Sequence, residues 1–237
     1  MKVAFFSDIH ANFPALCAAL ETASGLGAEA VVCAGDLASG GPHPTEVVRL
    51  LMGQRVPAIR GNIDRRIVKL AAAPKKKRPK GKKWAEAAWS VSRLGEGELR
   101  WLSALPSELR LTFAGVEARV VHGSPLSDTD YIYPSLTPAA FAAKLGEDRP
   151  AVLVCGHSHI PFARTVEGVL VVNCGSVGRP YDGDPRGSFA LCTFAGPAAA
   201  SARIVRFEYP VEAVIKDLSD RGGPKLAPRL YRQGVKA

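Results

Sequence analysis

The sequence predicts an α/β protein in which two β-sheets pack face to face with helices outside. Three observations carry this. The first third of the chain alternates apolar, strand-length runs with helical stretches, the βαβαβ pattern of a parallel sheet covered by helices. The remainder is dominated by short strands joined by tight turns, as in antiparallel pairing. Finally, the segments KVAFFSDIH, AVVCAGD, VPAIRGN, ARVVHG and AVLVCGHSH each run from apolar residues into a histidine, aspartate or asparagine. Strand ends at one sheet edge are where α/β proteins gather binding groups.

In chain order, residues 2–6 read as a buried strand. Phe13 to Gly25 reads as a helix, with Asn12 as N-cap, Pro14 in the first turn and glycines at its end. Ala30–Ala34 is a second strand, Pro44–Gln54 a second helix, and Arg55–Ile59 a third strand running into Gly61-Asn62. Pro74–Lys83, rich in lysine with two prolines and a glycine, is expected to be a mobile, solvated loop. Trp84–Leu94 and Glu96–Leu105 then read as helices. Strands follow at Glu108–Phe113, Val116–Val121, Ala151–Cys155, Phe162–Val166, Val169–Asn173, Ser188–Phe194 and Ala202–Glu208. Ala114-Gly115 and Glu167-Gly168 have the residue types of hairpin turns. Val211–Leu218 closes a single domain spanning residues 1–218, and residues 219–237, with Gly222-Gly223-Pro224, read as a poorly ordered tail.

Composition narrows the function. At 237 residues, 47% apolar and 22% charged, the chain has the balance of a globular enzyme. It offers no run of about 18 apolar residues for a membrane span. The start, MKVAFFSDIH, lacks the features of a signal peptide. Five cysteines, odd in number and without a CxxC pair, read as buried thiols in a reducing cytoplasm. The net charge of +9 is local: removing Lys75, Lys76, Lys77, Arg78, Lys80, Lys82 and Lys83 leaves about +2. Whole-protein affinity for nucleic acid is therefore not expected, and the lysine run reads as a solvated loop or a funnel for polyanionic substrates.

The chemistry lies in seven donor side chains: Asp8, His10, Asp36, Asn62, His122, His157 and His159, which include four of the five histidines. Mixed imidazole, carboxylate and amide donors gathered at one rim are what a pair of divalent ions requires, and the absence of cysteine ligands argues against structural zinc.

The motifs Asp8-Ile-His10, Gly35-Asp36, Gly61-Asn62-Ile63-Asp64, His122-Gly123 and Gly156-His157-Ser158-His159 follow one another in the order found in the calcineurin-like metallophosphoesterases, which this sequence resembles. GPHPTEVVRLL and NCGSVGRPYDGDPRGSFAL further resemble the branch of small prokaryotic phosphodiesterases and dinucleoside tetraphosphatases. The resemblance implies a four-layer αββα sandwich with two mixed sheets. It also implies one ion on Asp8, His10, Asp36 and His159, and a second on Asp36, Asn62, His122 and His157, Asp36 bridging. Mn²⁺ is the first expectation, with Fe, Zn²⁺ or Ni²⁺ as alternatives. A hydroxide bridging the ions would attack phosphorus in line, with Asp36 and Asn62 in the catalytic centre.

One departure matters. Many family members have a histidine after Gly-Asn that protonates the leaving group, and here that position is Ile63. An alkyl side chain donates no proton. The expected substrate is therefore a small, nucleotide-like phosphate compound with a good leaving group. His43 in GPHP is a candidate substitute acid. Asn12, Arg179, Tyr181 and Arg186 are candidate substrate contacts, the two arginines able to grip phosphate or to pair with Asp182 or Asp184. The competing readings are a catalytically weak scaffold on the same fold, a phosphoprotein phosphatase and, resting on the lysine run alone, nucleic-acid cleavage.

Overall fold

In the computed structural model, which describes residues 1–196 and 199–235, two sheets stack with helices on both outer faces. The first has the order β2 (Ala30–Cys33), β1 (Lys2–Phe6), β8 (Gly187–Gly196), β9 (Ala199–Phe207). The second has the order β3 (Glu108–Phe113), β4 (Val116–Val121), β5 (Val152–Cys155), β7 (Val169–Asn173), β6 (Phe162–Val166). Both are mixed. β1 and β2 are parallel, as are β4, β5 and β7, whereas β8, β9, β3 and β6 join antiparallel.

Side chains alternate across each strand, so one run supplies two cores. Val3 and Phe5 face the inter-sheet layer with Val120, Val154 and Val172. Ala4 and Phe6 face outward onto the helices α1 (Phe13–Gly25), α2 (Pro44–Gly53) and α3 (Asn62–Ala72), through Leu16, Val47 and Ile67. α4 (Lys82–Arg93), α5 (Glu96–Ala104), α7 (Val211–Asp220) and α8 (Arg229–Gln233) add Ala87, Leu102, Val214 and Tyr231 to the same layer. On the far side, α6 (Pro138–Leu145) covers the second sheet with Phe141 and Leu145. Strands buried on both faces read as unbroken apolar runs, whereas the edge strand β9 alternates as AASARIVRF. The two hairpin turns have positive φ at both central residues, 48° and 83° at Ala114-Gly115 and 47° and 80° at Glu167-Gly168, which matches the twist of the flanking strands.

Several elements differ from expectation. Arg55–Ile59 forms no strand; only Ala58 makes an isolated parallel bridge to Cys33. Pro57, lacking an N–H, interrupts any longer ladder. α3 and α6 are helices beyond those the sequence predicts. α3 carries four charged residues among its 11 (NIDRRIVKLAA) and buries only a narrow stripe including Ile67 and Leu70. α6 starts where the Thr137 side chain caps Ala140 N. The basic segment is only partly a loop: Lys75–Lys77 form one exposed 3-10 turn, and Lys82 and Lys83 open α4.

As far as residue 235 the C-terminal segment is not a loose tail; residues 236–237 of the expected tail lie outside the described residues. Leu230 and Tyr231 are buried, Tyr231 donates to Gly40 O at 3.1 Å, and Gly183 N donates to Gly234 O at 2.9 Å. Apolar burial holds the segment despite its Gly-Gly-Pro entry. Tyr231→Phe keeps the ring and removes the buried hydrogen bond, so a loss of about 1 kcal/mol in denaturant unfolding is expected. Unchanged stability would show that the hydroxyl contributes nothing to docking.

Candidate metal centre

The parallel strands of both sheets end at one rim. β1 leads to Asp8 and His10, β2 to Asp36, β4 to His122, and β5 to His157 and His159, while Asn62 is the first residue of α3. The sheets are tied together there: His157 N donates to Asp8 Oδ2 at 2.8 Å and Gly178 N to Asp8 O at 3.1 Å, while Gly156 N donates to His122 O at 2.9 Å between the ends of β5 and β4. A Cβ at Gly156 would collide with Ser7 Oγ and Asp8 Oδ2, so no larger residue allows this approach. Asp8, His10, Asp36, His157 and His159 all have φ between 49° and 63°. Left-handed backbone at non-glycine residues is strained, by about 1–3 kcal/mol each, and persists where the surroundings enforce it. Here it turns successive side chains into one pocket.

The donors fall into two groups, Asp8–His10–His159 and Asp36–His122–His157, in each of which the ligand atoms lie within 4.8 Å of one another. In the first, Asp8 Oδ1 is 3.1 Å from His159 Nε2 and 3.5 Å from His10 Nε2, and the two Nε2 atoms are 3.2 Å apart. In the second, His122 Nε2 is 3.0 Å from Asn62 Oδ1 and 3.3 Å from Asp36 Oδ2. Asp36 Oδ2 is also 3.9 Å from His10 Nε2, so this carboxylate faces both groups. Donors about 2.1 Å from a common ion lie roughly 3 Å apart.

The hydrogen bonding tests the fit. His10 Nδ1 is 2.8 Å from Ser39 O, His122 Nδ1 is 2.8 Å from Ala34 O, and His159 Nδ1 bonds Arg179 O. Carbonyls only accept, so each Nδ1 carries the proton, and in the neutral ring Nε2 is left as a lone pair. Lone pairs then face lone pairs and carboxylates, which is unfavourable without a cation between them. Asp8 Oδ1 and His157 Nε2 are buried without any hydrogen-bond partner. The residues fit divalent ions.

Electrostatics agrees. Burial works against charge on His122, but the charges of Asp36 and Asp8 outweigh it and push its pKa up to about 10. The metal-free pocket answers its excess negative charge with a proton. His157 and His159 are lowered by burial and so tend to the neutral, ligating form.

A cavity of about 450 Å³ opens over these groups. Ile63 lies in its wall, and its N–H donates to Asp36 Oδ1 at 2.8 Å. Arg179 and Tyr181 line it too, the Tyr181 ring stacked on His159 at 4.1 Å. Arg179 Nη1 bonds Glu86 Oε2 at 3.0 Å while its buried Nε has no partner.

Three candidates are not brought to the pocket. His43 is buried against Asp217, its Nε2 3.0 Å from Oδ2, and is absent from the cavity wall; the substitute-acid role therefore falls. Asn12 is wholly buried, its Oδ1 capping α1 at Ala15 N and its Nδ2 donating to Gly178 O, so neither end is free for substrate. Arg186 pairs with Asp184 at 2.7 Å outside the cavity.

Other residues at the site were missed. Asp64 accepts from Leu37 N, Ala38 N and Gly61 N at 3.0–3.1 Å, bracing the Asp36 loop against Asn62. Its spacing after Gly61 is a capping signature that could have identified it. Glu86, Arg66, Tyr131 and Tyr133 line the cavity as well, and only tertiary placement reveals them.

The comparisons with known proteins converge on this site. Residues 1–196 match the calcineurin-like phosphoesterase superfamily domain. An uncharacterized protein of Methanocaldococcus jannaschii is 27% identical over 249 residues, covering 97% of each chain. A metallophosphoesterase from Sphaerobacter thermophilus superposes with a TM-score of 0.80 at 25% identity over 99% of both chains. A hypothetical protein from Pyrococcus horikoshii OT3 shares the fold, with a TM-score of 0.87 at 24% identity, covering 100% of this chain and 99% of that one. With two largely buried donor groups at the common rim of two mixed sheets and a family match over most of its length, the chain belongs to the calcineurin-like phosphoesterase superfamily and is a metal-dependent phosphoesterase.

Proposed function

We propose that the chain hydrolyses phosphodiester or phosphoanhydride bonds with good leaving groups, in nucleotide-type substrates, using two divalent ions of which Mn²⁺ is the first candidate. Asp8, His10 and His159 would hold one ion, and Asn62, His122 and His157 the other, with Asp36 shared. Such ions lower the pKa of water toward neutrality and offset charge developing on phosphoryl oxygens. The protein's part is rigidity. Backbone carbonyls fix three imidazoles by their Nδ1–H groups, Ser7 Oγ and His157 N hold Asp8 Oδ2, and Ile63 N holds Asp36 Oδ1. Arg179, with an unpartnered Nε beside the cavity, is the candidate phosphate contact.

The observation that carries the leaving-group preference is Ile63, which sits in the cavity wall beside Asn62 without a transferable proton. A leaving group that needs no proton must then be chemically good. No described helix is long and apolar enough to cross a membrane. All five cysteines are free and four are buried, which supports a cytoplasmic setting.

Turnover of aryl phosphodiesters or phosphoanhydrides by Mn²⁺-loaded protein should exceed that of alkyl phosphodiesters by well over a hundredfold, the scale on which general acids act. Ile63→His should raise the alkyl substrate about tenfold or more and leave the aryl one nearly unchanged. Equal wild-type rates on aryl and alkyl esters would overturn the leaving-group reading.

A further inference from the structure

The loop after β4 carries an unusual aromatic surface. Among the described residues only four large hydrophobic side chains are exposed, and three belong to this loop: Leu126 at 65%, Tyr131 at 37% and Tyr133 at 38%. The tyrosines form one stack. The Tyr131 ring lies 4.4 Å from His157 with an interplanar angle of 26°, and Tyr133 continues it at 5.4 Å and 9°. The stack leads outward from a candidate metal ligand to a half-exposed ring, and both tyrosines line the cavity. The same cavity bears cations: Arg66 on α3, and Lys82 and Lys83 in the first turn of α4. The neighbouring Arg65 is by contrast engaged with Asp128 at 2.6 Å.

One cavity therefore combines planar π-surface, candidate metal ligands and fixed positive charge. Bases stack on aromatic side chains with little regard to identity, and cationic side chains take up phosphate charge. We infer that Tyr131 and Tyr133 form a base subsite, and Arg66, Lys82 and Lys83 a phosphate-tail subsite, selecting a nucleoside that carries a chain of phosphates. This deepens the phosphoesterase reading above and rests on it. Tyr131 is a positioning residue that ties the stack to His157, and Tyr133 presents the outer ring to the base. The cations hold phosphates on the other side of the bond that breaks.

The test compares kcat/KM for three substrates with Mn²⁺-loaded full-length chain: ATP, inorganic tripolyphosphate, which has no base, and methyl p-nitrophenyl phosphate, which has one phosphate. Tyr133→Ala should lower the ATP-to-tripolyphosphate ratio about tenfold or more, the loss of one base–aromatic stack. Lys82→Ala/Lys83→Ala should lower ATP and tripolyphosphate together relative to the methyl ester, again about tenfold, and flatten their salt dependence. A distorted site would depress all substrates alike and leave both ratios unmoved, which overturns the subsites. If wild-type protein hydrolyses the methyl ester while both ratios are unmoved in the variants, the subsites fall and the phosphoesterase reading stands. A chain inert on all three substrates overturns both. Unmoved ratios together with a dimer that Tyr133→Ala dissociates would assign the rings to a protein interface instead.

Discussion

Asp36→Asn is expected to abolish phosphoester turnover, by about a thousandfold or more, and to reduce bound metal below two ions per chain. Asp36 is the one carboxylate that faces both donor groups, its Oδ2 lying 3.3 Å from His122 Nε2 and 3.9 Å from His10 Nε2. Two divalent ions in adjacent sites repel strongly in a buried pocket, and a shared anion is what makes double occupancy favourable. Asparagine has the same shape and retains an oxygen to accept from Ile63 N, so the fold should persist while the bridging charge is lost. Removing one preorganised electrostatic group commonly costs a hundred- to a thousandfold, and losing an ion as well adds to that. Metal analysis of purified protein, turnover of an aryl diester and thermal unfolding check the three parts. Two ions retained, with turnover within tenfold of wild type, would remove Asp36 from the bridging position.

Chelation should lower Tm by about 10 °C at pH 8, and by progressively less as pH falls toward 6.5. At a thousand times Kd an ion stabilises by about 4 kcal/mol, and in a chain of this size each kcal/mol shifts Tm by roughly 2–4 °C. The pH dependence follows from His122, raised from 6.5 to about 10 against the opposing effect of burial by Asp36 and Asp8. A base whose folded pKa is raised contributes stability that is fully present below 6.5 and is lost as pH climbs through about 10. Asp64, pushed up to about 6 by burial and by Asp36, acts in the same direction, losing its contribution as pH passes from 3.8 through 6. The metal-free form therefore weakens above pH 6.5. The metal-bound form has no proton on His122 to lose, so the gap between the two widens with pH. A gap that is constant from pH 6.5 to 9 would show that ions and protons do not compete at His122.

Much of the candidate site was legible because its geometry is local. A strand delivers its terminal residue to a sheet edge wherever the sheet lies, so apolar runs ending in Asp-x-His, Gly-Asp, His-Gly and Gly-His-x-His place their polar groups before any packing is known, whereas Asn62 is placed by the start of α3. Hairpin turns at Ala114-Gly115 and Glu167-Gly168 are equally local, since the glycine in each accepts a positive φ without strain. α3 was overlooked because a single buried stripe in a charged segment gives little apolar signal.

What the amino-acid order determined by itself was the strand–helix alternation, the candidate donor set and an alkyl side chain at position 63. Only the three-dimensional packing decided which polar side chains remain free to meet a substrate. His43 is turned away by Asp217, 174 positions along the chain, and Tyr231 docks at Gly40 across 191. Arg179 is kept at the cavity by Glu86, 93 positions away. The physical reason is that a strand or turn is set by neighbours a few bonds away, while the job of a histidine or arginine is set by whichever group faces it. That group is supplied by distant segments that meet only once the cores have closed.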